Sequence, residues 1–175
     1  RWINWRASAR YPEYLYVNEF DQERVADIGV VLDARQRSNQ LAGGPSLLGY
    51  SNQAAAAIAS AFLRDGNRVG LLIYGGHLDW TFPGYGKVQQ QRILTALARC
   101  RPGQSEYFDS LDQIPTRLFP SRSQIVFISP LLKEDSAPII GLRARGYHVL
   151  VITPDPVAYE AALAGPTPEI ALAAR

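Results

Sequence analysis

Four short apolar runs recur along the chain, separated by polar and helical stretches. The first run, Val25–Asp33, is almost continuously apolar and ends in a single carboxylate. Such a run is typical of a strand that is buried on both faces of a parallel sheet. Three later runs have the same character: Arg68–Tyr74, Gln124–Ser129 and His148–Thr153. The pattern therefore predicts four core strands.

The segments between these runs carry apolar residues at helical spacing. An alanine-rich stretch follows Ser51, which is a suitable N-cap, and Gly66 is a suitable stop. Further helices are predicted over Lys87–Cys100, Ser110–Phe119, Asp135–Arg145 and Tyr159–Leu163.

Alternating strands and helices predict a doubly wound α/β architecture, with a mostly parallel sheet covered on both faces. Leu78–Phe82 follows the second run after only three residues, Gly75–His77. A connection this short cannot cross over to a parallel strand. This segment is therefore predicted to return as one antiparallel edge strand.

The length of 175 residues, of which 47% are hydrophobic, suits one domain. No apolar run approaches 18 residues, so no membrane span is expected in this chain. Because the chain begins at Arg1 and lacks methionine, we expect a fragment of a longer protein. The predicted domain covers residues 1–164, with an N-terminal aromatic extension packing on it over 1–24, and a flexible tail follows over 165–175.

Charge and cysteine content argue against a nucleic-acid-binding module and against a disulfide-stabilised fold. The 18 basic and 16 acidic residues give a formal net charge of +2, and the arginines are dispersed along the chain. Nucleic-acid modules concentrate their basic residues on one face, so no nucleic-acid partner is predicted. The single cysteine, Cys100, allows no internal disulfide and lies on the apolar side of its helix.

Candidate functional residues follow from the predicted topology, because ligands bind at the carboxyl ends of the strands in open α/β sheets. The long loop after Asp33, residues 34–50, belongs to this rim and is either a functional surface or a mobile connection. The candidate binding rim consists of Asp33, Arg35, Arg37, His77, Asp79 and Asp155.

The sequence lacks the residues that two classes of enzyme need, the phosphate-loop proteins and the hydrolases with a serine or cysteine nucleophile. Gly44–Ser51 has the glycine spacing of a phosphate loop, but Tyr50 occupies the lysine position. There is no nucleophile elbow, and His77 and His148 have no serine or cysteine partner nearby in sequence. No catalytic residue and no cofactor are therefore predicted, although the alternative of an enzyme stays open.

That alternative is a divalent-metal hydrolase, either a nuclease or a phosphatase, built on rim carboxylates. Asp33, Asp79, Asp135 and Asp155 could share one rim, and Mg²⁺ prefers oxygen ligands. A structural salt bridge between Asp33 and its neighbouring arginines would satisfy the same carboxylate without a metal.

Several short motifs can be compared with known families: Arg1–Arg10 (RWINWRASAR), Tyr16–Phe20, Val30–Asp33, Arg68–Leu72 and Pro83–Lys87. Together they resemble a prokaryotic family, domain-of-unknown-function family fifty-eight. The resemblance implies a core similar to a von Willebrand factor type A domain. The opening aromatics are expected to pack against the sheet edge or the upstream part of the protein, with an exposed binding patch as the alternative. They are Trp2, Trp5, Tyr11, Tyr14, Tyr16 and Phe20.

The resemblance also suggests a test of the metal-ion-dependent adhesion site of type A domains. That site needs Asp-x-Ser-x-Ser after the first strand, and Asp33 matches its aspartate. Arg35 and Arg37 stand at the two serine positions, and Pro130–Leu131 follows the strand where a second aspartate is expected. The site is therefore predicted to be degenerate and free of metal, with Asp33 the one candidate ligand.

The family's genes often accompany MoxR-type AAA+ ATPases. The resemblance thus implies a non-enzymatic interaction domain that assists such an ATPase in assembling or activating other complexes. Its implied protein-binding face consists of Arg35, Arg37 and the loop to Tyr50. The resemblance further implies a cytoplasmic domain whose parent protein is attached to the membrane upstream of the region printed here.

Overall fold

A five-stranded sheet forms the centre of the molecule in the computed structural model, which describes residues 2–18, 25–40, 46–104, 115 and 118–164. The strands lie in the order β5-β4-β3-β6-β7. Their bounds are β3 Asp27–Asp33, β4 Arg68–Tyr74, β5 Leu78–Gly84, β6 Gln124–Ile128 and β7 His148–Ile152. A separate two-stranded sheet joins β1, Trp2–Ile3, to β2, Val17–Asn18.

The pairing confirms the predicted mixed topology. β3 is the central strand and pairs in parallel with β4 and β6, and β6 pairs in parallel with β7. β5 pairs antiparallel with β4, as the short connection between them requires. Asp33 lies opposite Tyr74 at the carboxyl end of the sheet, so the residues after β3 emerge at the predicted rim.

Helices lie on both sides of this sheet. They are α1 Trp5–Arg10, α2 Gln36–Asn39, α3 Leu48–Arg64, α4 Gly86–Arg99, α5 Ser136–Ala144 and α6 Pro156–Ala164. The last four overlap predicted helices, whereas α1 and α2 were not predicted. A short 3₁₀ turn, Lys133–Asp135, precedes α5.

The start of α3 differs from the prediction. Ser51 was expected to cap this helix, but the helix begins three residues earlier, at Leu48. The hydroxyl of Ser46 accepts a hydrogen bond from the Leu48 N–H at 3.2 Å and supplies the missing cap contact. Ser51 lies within the first turn and is buried.

Alternation along β3 divides the core between the two faces of the sheet. Val30 and Leu32 point to the side of α3 and α4, where Ala55 and Ile93 pack against them. Val31 points to the other side. The second cluster contains Val31, Leu72, Tyr74, Phe119, Ile125 and Phe127. Both faces of β3 are therefore buried, which accounts for its continuous apolar run.

Cys100 is a buried free thiol just after α4, as predicted for a small hydrophobic side chain. Burial raises its pKa to about 11, with Asp79 acting in the same direction and Arg101 in the opposite one. The thiol is therefore neutral at physiological pH and is a poor nucleophile.

The N-terminal aromatic residues are more exposed than expected. Trp5 is 72% exposed, and Tyr11, Tyr14 and Tyr16 are also exposed. Packing of these four side chains against the sheet edge is therefore not observed. Packing against an upstream part of the protein stays a prediction.

Some predictions fall outside the described residues. They concern most of the Ser110–Phe119 helix, Arg1 and Phe20 in the family motifs, residues 41–45 of the long loop, and the tail 165–175. The domain boundaries likewise stay a prediction. Within the described part of the chain, no helix has both the length and the apolarity to cross a bilayer.

Candidate functional site

The guanidinium of Arg35 lies buried between two carboxylates at the carboxyl end of the sheet. Its Nε and Nη2 atoms donate to Asp33 at 3.0 and 2.9 Å. Its Nη1 and Nη2 atoms donate to Asp135 at 3.1 and 2.7 Å. Arg35 is 1% exposed, and Asp33 and Asp135 are 0% and 1% exposed. One cation therefore joins two carboxylates out of contact with solvent.

Asp33 accepts further hydrogen bonds from residues around it. The N–H of Arg35 donates to its Oδ1 atom at 2.9 Å. The hydroxyls of Ser38 and Ser129 donate to its Oδ2 atom at 2.9 and 2.6 Å. Asn39 donates from Nδ2 to the backbone carbonyls of Asp33 and Arg35. Together these hydrogen bonds offset the free-energy cost of removing the Asp33 carboxylate from water.

Asp135 reaches the cluster from the neighbouring strand β6, which pairs with β3 on the side away from β4. It ends the 3₁₀ turn after β6, and its Oδ2 atom also accepts from the Leu132 N–H at 2.8 Å. Burial by itself would lower the pKa of Arg35, but the hydrogen bonds and charges of Asp33 and Asp135 raise it far above its ordinary value. The guanidinium is therefore charged at every pH at which the protein folds.

A close approach between two loops holds the backbone that carries Arg35. The N–H of Gln36 donates to the carbonyl of Gly103 at 2.8 Å, and the N–H of Gly103 donates to the carbonyl of Ala34 at 3.0 Å. Gly103 also lies so close to Gly76 that a Cβ atom on Gly103 would overlap backbone atoms of Gly76. The two glycines therefore allow the loop after β3 to be anchored beside β4.

Arg37 and Glu134 form the exposed surface above the buried cluster. Arg37 Nη1 lies 2.6 Å from Glu134 Oε1, with the two side chains 37% and 55% exposed. The pKa of Glu134 is lowered, first by a hydrogen bond from its own backbone and then by Arg37. Arg37 thus lies at the surface of the rim, and a binding role for it stays a prediction. Arg35 and Asp33 were expected there too, and their burial corrects that expectation.

The remaining rim candidates stay apart from this cluster. His77 is exposed in the turn between β4 and β5, and Asp79 is half-buried on β5, two strands or about 10 Å from β3. Asp155 is exposed and accepts from the N–H groups of Val157 and Ala158, so it caps α6. Among the described residues, no three histidine, cysteine, aspartate or glutamate side chains are grouped to hold a metal ion.

Comparison with protein families gives a match over nearly the whole chain. Residues 1–164 match the family described as "Protein of unknown function DUF58". The chain belongs to this DUF58 family. The resemblance read from the sequence motifs is thereby confirmed. No curated protein matches the DUF58 chain.

Solved structures similar to this DUF58 chain show the fold alone. The proximal thread matrix protein 1 from the mussel byssus aligns with a TM-score of 0.52 at 15% identity, covering 74% of this chain and 37% of that one. A second crystal form of the same protein gives a TM-score of 0.51 at 15% identity, covering 73% of this chain and 37% of that one. The DUF58 chain therefore spans little more than a third of the mussel protein.

Sequence reasoning missed part of the buried cluster of this DUF58 domain. Asp135 was considered only as a metal ligand, and Ser38 and Ser129 were not singled out. The serine nearest to the expected motif is Ser38, which the short helix α2 turns back towards Asp33. Ser129 follows β6 directly, so its place at a strand's carboxyl end was an available signal.

Two buried serines of the DUF58 domain should respond oppositely to replacement by alanine. Ser129→Ala removes the 2.6 Å hydrogen bond to Asp33 and should lower the free energy of unfolding by about 1.5–3 kcal/mol. Ser51→Ala removes a buried hydroxyl that has no partner among the described residues, so stability should be unchanged or higher. Urea denaturation of both variants measures the difference, and an equal loss in the two would contradict the hydrogen-bond assignment.

Proposed function

We propose that this chain is a non-enzymatic protein-interaction domain with a degenerate metal-ion-dependent adhesion site, in which Arg35 takes the place of the cation. The observation that supports this proposal is the guanidinium bonded to both Asp33 and Asp135. Arg35 stands at the first serine position of the adhesion motif. The carboxylate that a metal would require is thus already neutralised by the protein itself.

Electrostatics favours this reading over a metal enzyme. A divalent cation within contact distance of Asp33 would lie beside the buried guanidinium, and like charges at such a distance repel strongly where water is excluded. Both carboxylate oxygens of Asp33 are also occupied by hydrogen bonds. A nuclease or phosphatase mechanism would need Asp33 to open towards a cation, and no contact at this site favours that.

The proposed interaction surface is the rim around Arg37 and Glu134. These residues come from the loops after β3 and β6, which the buried cluster ties together. The partner that we propose is a MoxR-type AAA+ ATPase, on the strength of the family resemblance. The cytoplasmic location and the membrane attachment of a longer parent protein belong to the same proposal and rest on the same resemblance.

Charge reversal at the rim tests the proposed surface. Arg37→Glu should place two acidic side chains side by side at the rim and reduce capture of a co-expressed MoxR-type ATPase by about tenfold. The melting temperature should change little, because Arg37 and Glu134 are exposed. Capture is measured by affinity pull-down followed by quantification of the bound ATPase.

Arg143→Glu is the matched control for this experiment. Arg143 is also exposed, but it lies in α5 towards the amino end of β7, away from the rim. The control should leave capture unchanged. Equal capture by the native protein and both variants would remove the rim as the binding surface.

A further inference from the structure

A cavity of about 470 Å³ opens between α3 and α6 at the carboxyl end of the sheet. Its lining includes Ile128 and Ile152, the last residues of β6 and β7. The volume is within the range of small-molecule and side-chain binding pockets, about 300–1,000 Å³. The cavity thus lies at the carboxyl edge of the sheet, where α/β folds bind ligands. It faces the ends of β6 and β7, whereas Arg35 follows β3.

The wall of this cavity is mostly apolar but carries a buried hydroxyl that has no partner. Ser51 is 1% exposed, and its Oγ atom makes no hydrogen bond within the described part of the chain. Buried polar groups are nearly always hydrogen-bonded in folded proteins. A serine hydroxyl can donate or accept, but this one is enclosed within the wall, so an occupant bonds it only where the covering side chains move aside.

The mouth of the cavity attracts positive charge. The rings of Tyr50 and Tyr159 meet edge to face, with their centroids 4.9 Å apart. Asp155 is the one charged residue among the lining residues. Its Oδ1 atom is held by the Val157 and Ala158 N–H groups, so the carboxylate has a fixed position at the mouth. Aromatic rings beside a carboxylate favour a cation.

We propose that this cavity binds the side chain of a lysine or arginine in an apolar segment of the partner protein. The methylene stem lies against the apolar wall, and the cation pairs with Asp155 and the tyrosine rings. An acidic segment would be repelled by Asp155, and a neutral one would leave that carboxylate without an ion pair. This inference rests on the proposed function and names the part of the partner that the domain recognises.

Two short peptides test the charge requirement. The probes are acetyl-Leu-Lys-Leu-amide and the same peptide with norleucine, which keeps the stem and lacks the cation. Titration followed by amide NMR should shift the signals of Ser51, Ala54 and Ala158, which line the cavity. The lysine peptide should bind about fivefold more tightly than the norleucine peptide.

Asp155→Asn is the matched protein variant. Asparagine caps a helix as well as aspartate, so α6 keeps its N-cap while the charge is lost. The lysine and norleucine peptides should then bind alike. Ala54→Leu fills part of the cavity and should weaken the binding of both peptides. The melting temperature of this variant shows whether it is folded.

The outcomes separate this inference from the proposed function. Equal binding of the two peptides to the native protein, or NMR shifts confined to other surfaces, would overturn the cavity assignment. If ATPase capture still depends on Arg37 in that case, the rim proposal stands and only the cavity fails. If the lysine peptide binds as expected while capture is insensitive to Arg37→Glu, the cavity stands and the rim fails.

Discussion

Replacing Arg35 with alanine should lower the free energy of unfolding by about 3–5 kcal/mol, the largest loss expected from any rim substitution. The change leaves Asp33 and Asp135 buried side by side without their shared cation. Chemical denaturation measures the loss. Arg37→Ala is the control, because it removes an arginine from the same loop whose side chain is 37% exposed. A similar loss in both variants would contradict a special role for the buried guanidinium.

The Arg35→Ala variant should also gain a response to divalent metal that the native protein lacks. Without the guanidinium, the carboxylates of Asp33 and Asp135 face the vacated space, and Mg²⁺ favours such oxygen ligands. A ligand that binds only the folded state raises its melting temperature. Millimolar MgCl₂ should therefore raise that of the variant by a few degrees, relative to NaCl of equal ionic strength.

The native protein should show no such shift. A shift of the native melting temperature with Mg²⁺ would favour the hydrolase alternative. An unresponsive Arg35→Ala variant would show that the guanidinium does not stand in a cation's position.

Gly103→Ala should give the second largest loss, about 3 kcal/mol, at the upper end of the usual range for overpacking. A Cβ atom at this position would meet the backbone of Gly76, which cannot rotate away as a side chain can. The substitution should also separate Gly103 from Gln36 and so loosen the loop that carries Arg35. Urea denaturation measures the change.

Gly141→Ala provides the comparison for this prediction. Gly141 lies inside α5, and a Cβ atom there would meet nothing within 4 Å. Alanine is favoured over glycine in a helix, so this variant should gain about 0.5–1 kcal/mol. A small or absent loss in Gly103→Ala would mean that the two loops can move apart without disturbing the fold.

The three central strands, β3, β4 and β6, were predictable because both of their faces are buried, whereas the edge strands β5 and β7 are half-exposed. β4 begins and ends at the predicted residues, and the other core strands differ by one or two residues. The start of α3 was missed because its N-cap, Leu47, has no side chain that signals a cap. The hydrophobic pattern therefore predicts an element well where burial determines which residues are apolar. It predicts an element poorly where a turn of the backbone sets the boundary.

The chemistry of the rim was harder to predict, because it depends on residues far apart in the chain. Arg35 was placed in the binding rim because it follows the carboxyl end of β3, and a salt bridge with Asp33 was considered only as the alternative to a metal. The burial of Arg35 depends on Asp135, which no local pattern connects to it. The sequence did indicate an arginine at a serine position of the adhesion motif, which is the feature that supports the proposed function.

The buried cluster also constrains the order in which the chain can fold. The Ser129–Asp33 hydrogen bond joins residues 96 positions apart, and the Arg35–Asp135 pair joins residues 100 positions apart. β3 can pair with β4 early, but its charged end has no second carboxylate until β6 docks on its other side. Contacts of such sequence separation slow folding. During synthesis, the buried cluster therefore cannot form until Asp135, in the second half of the domain, has been made.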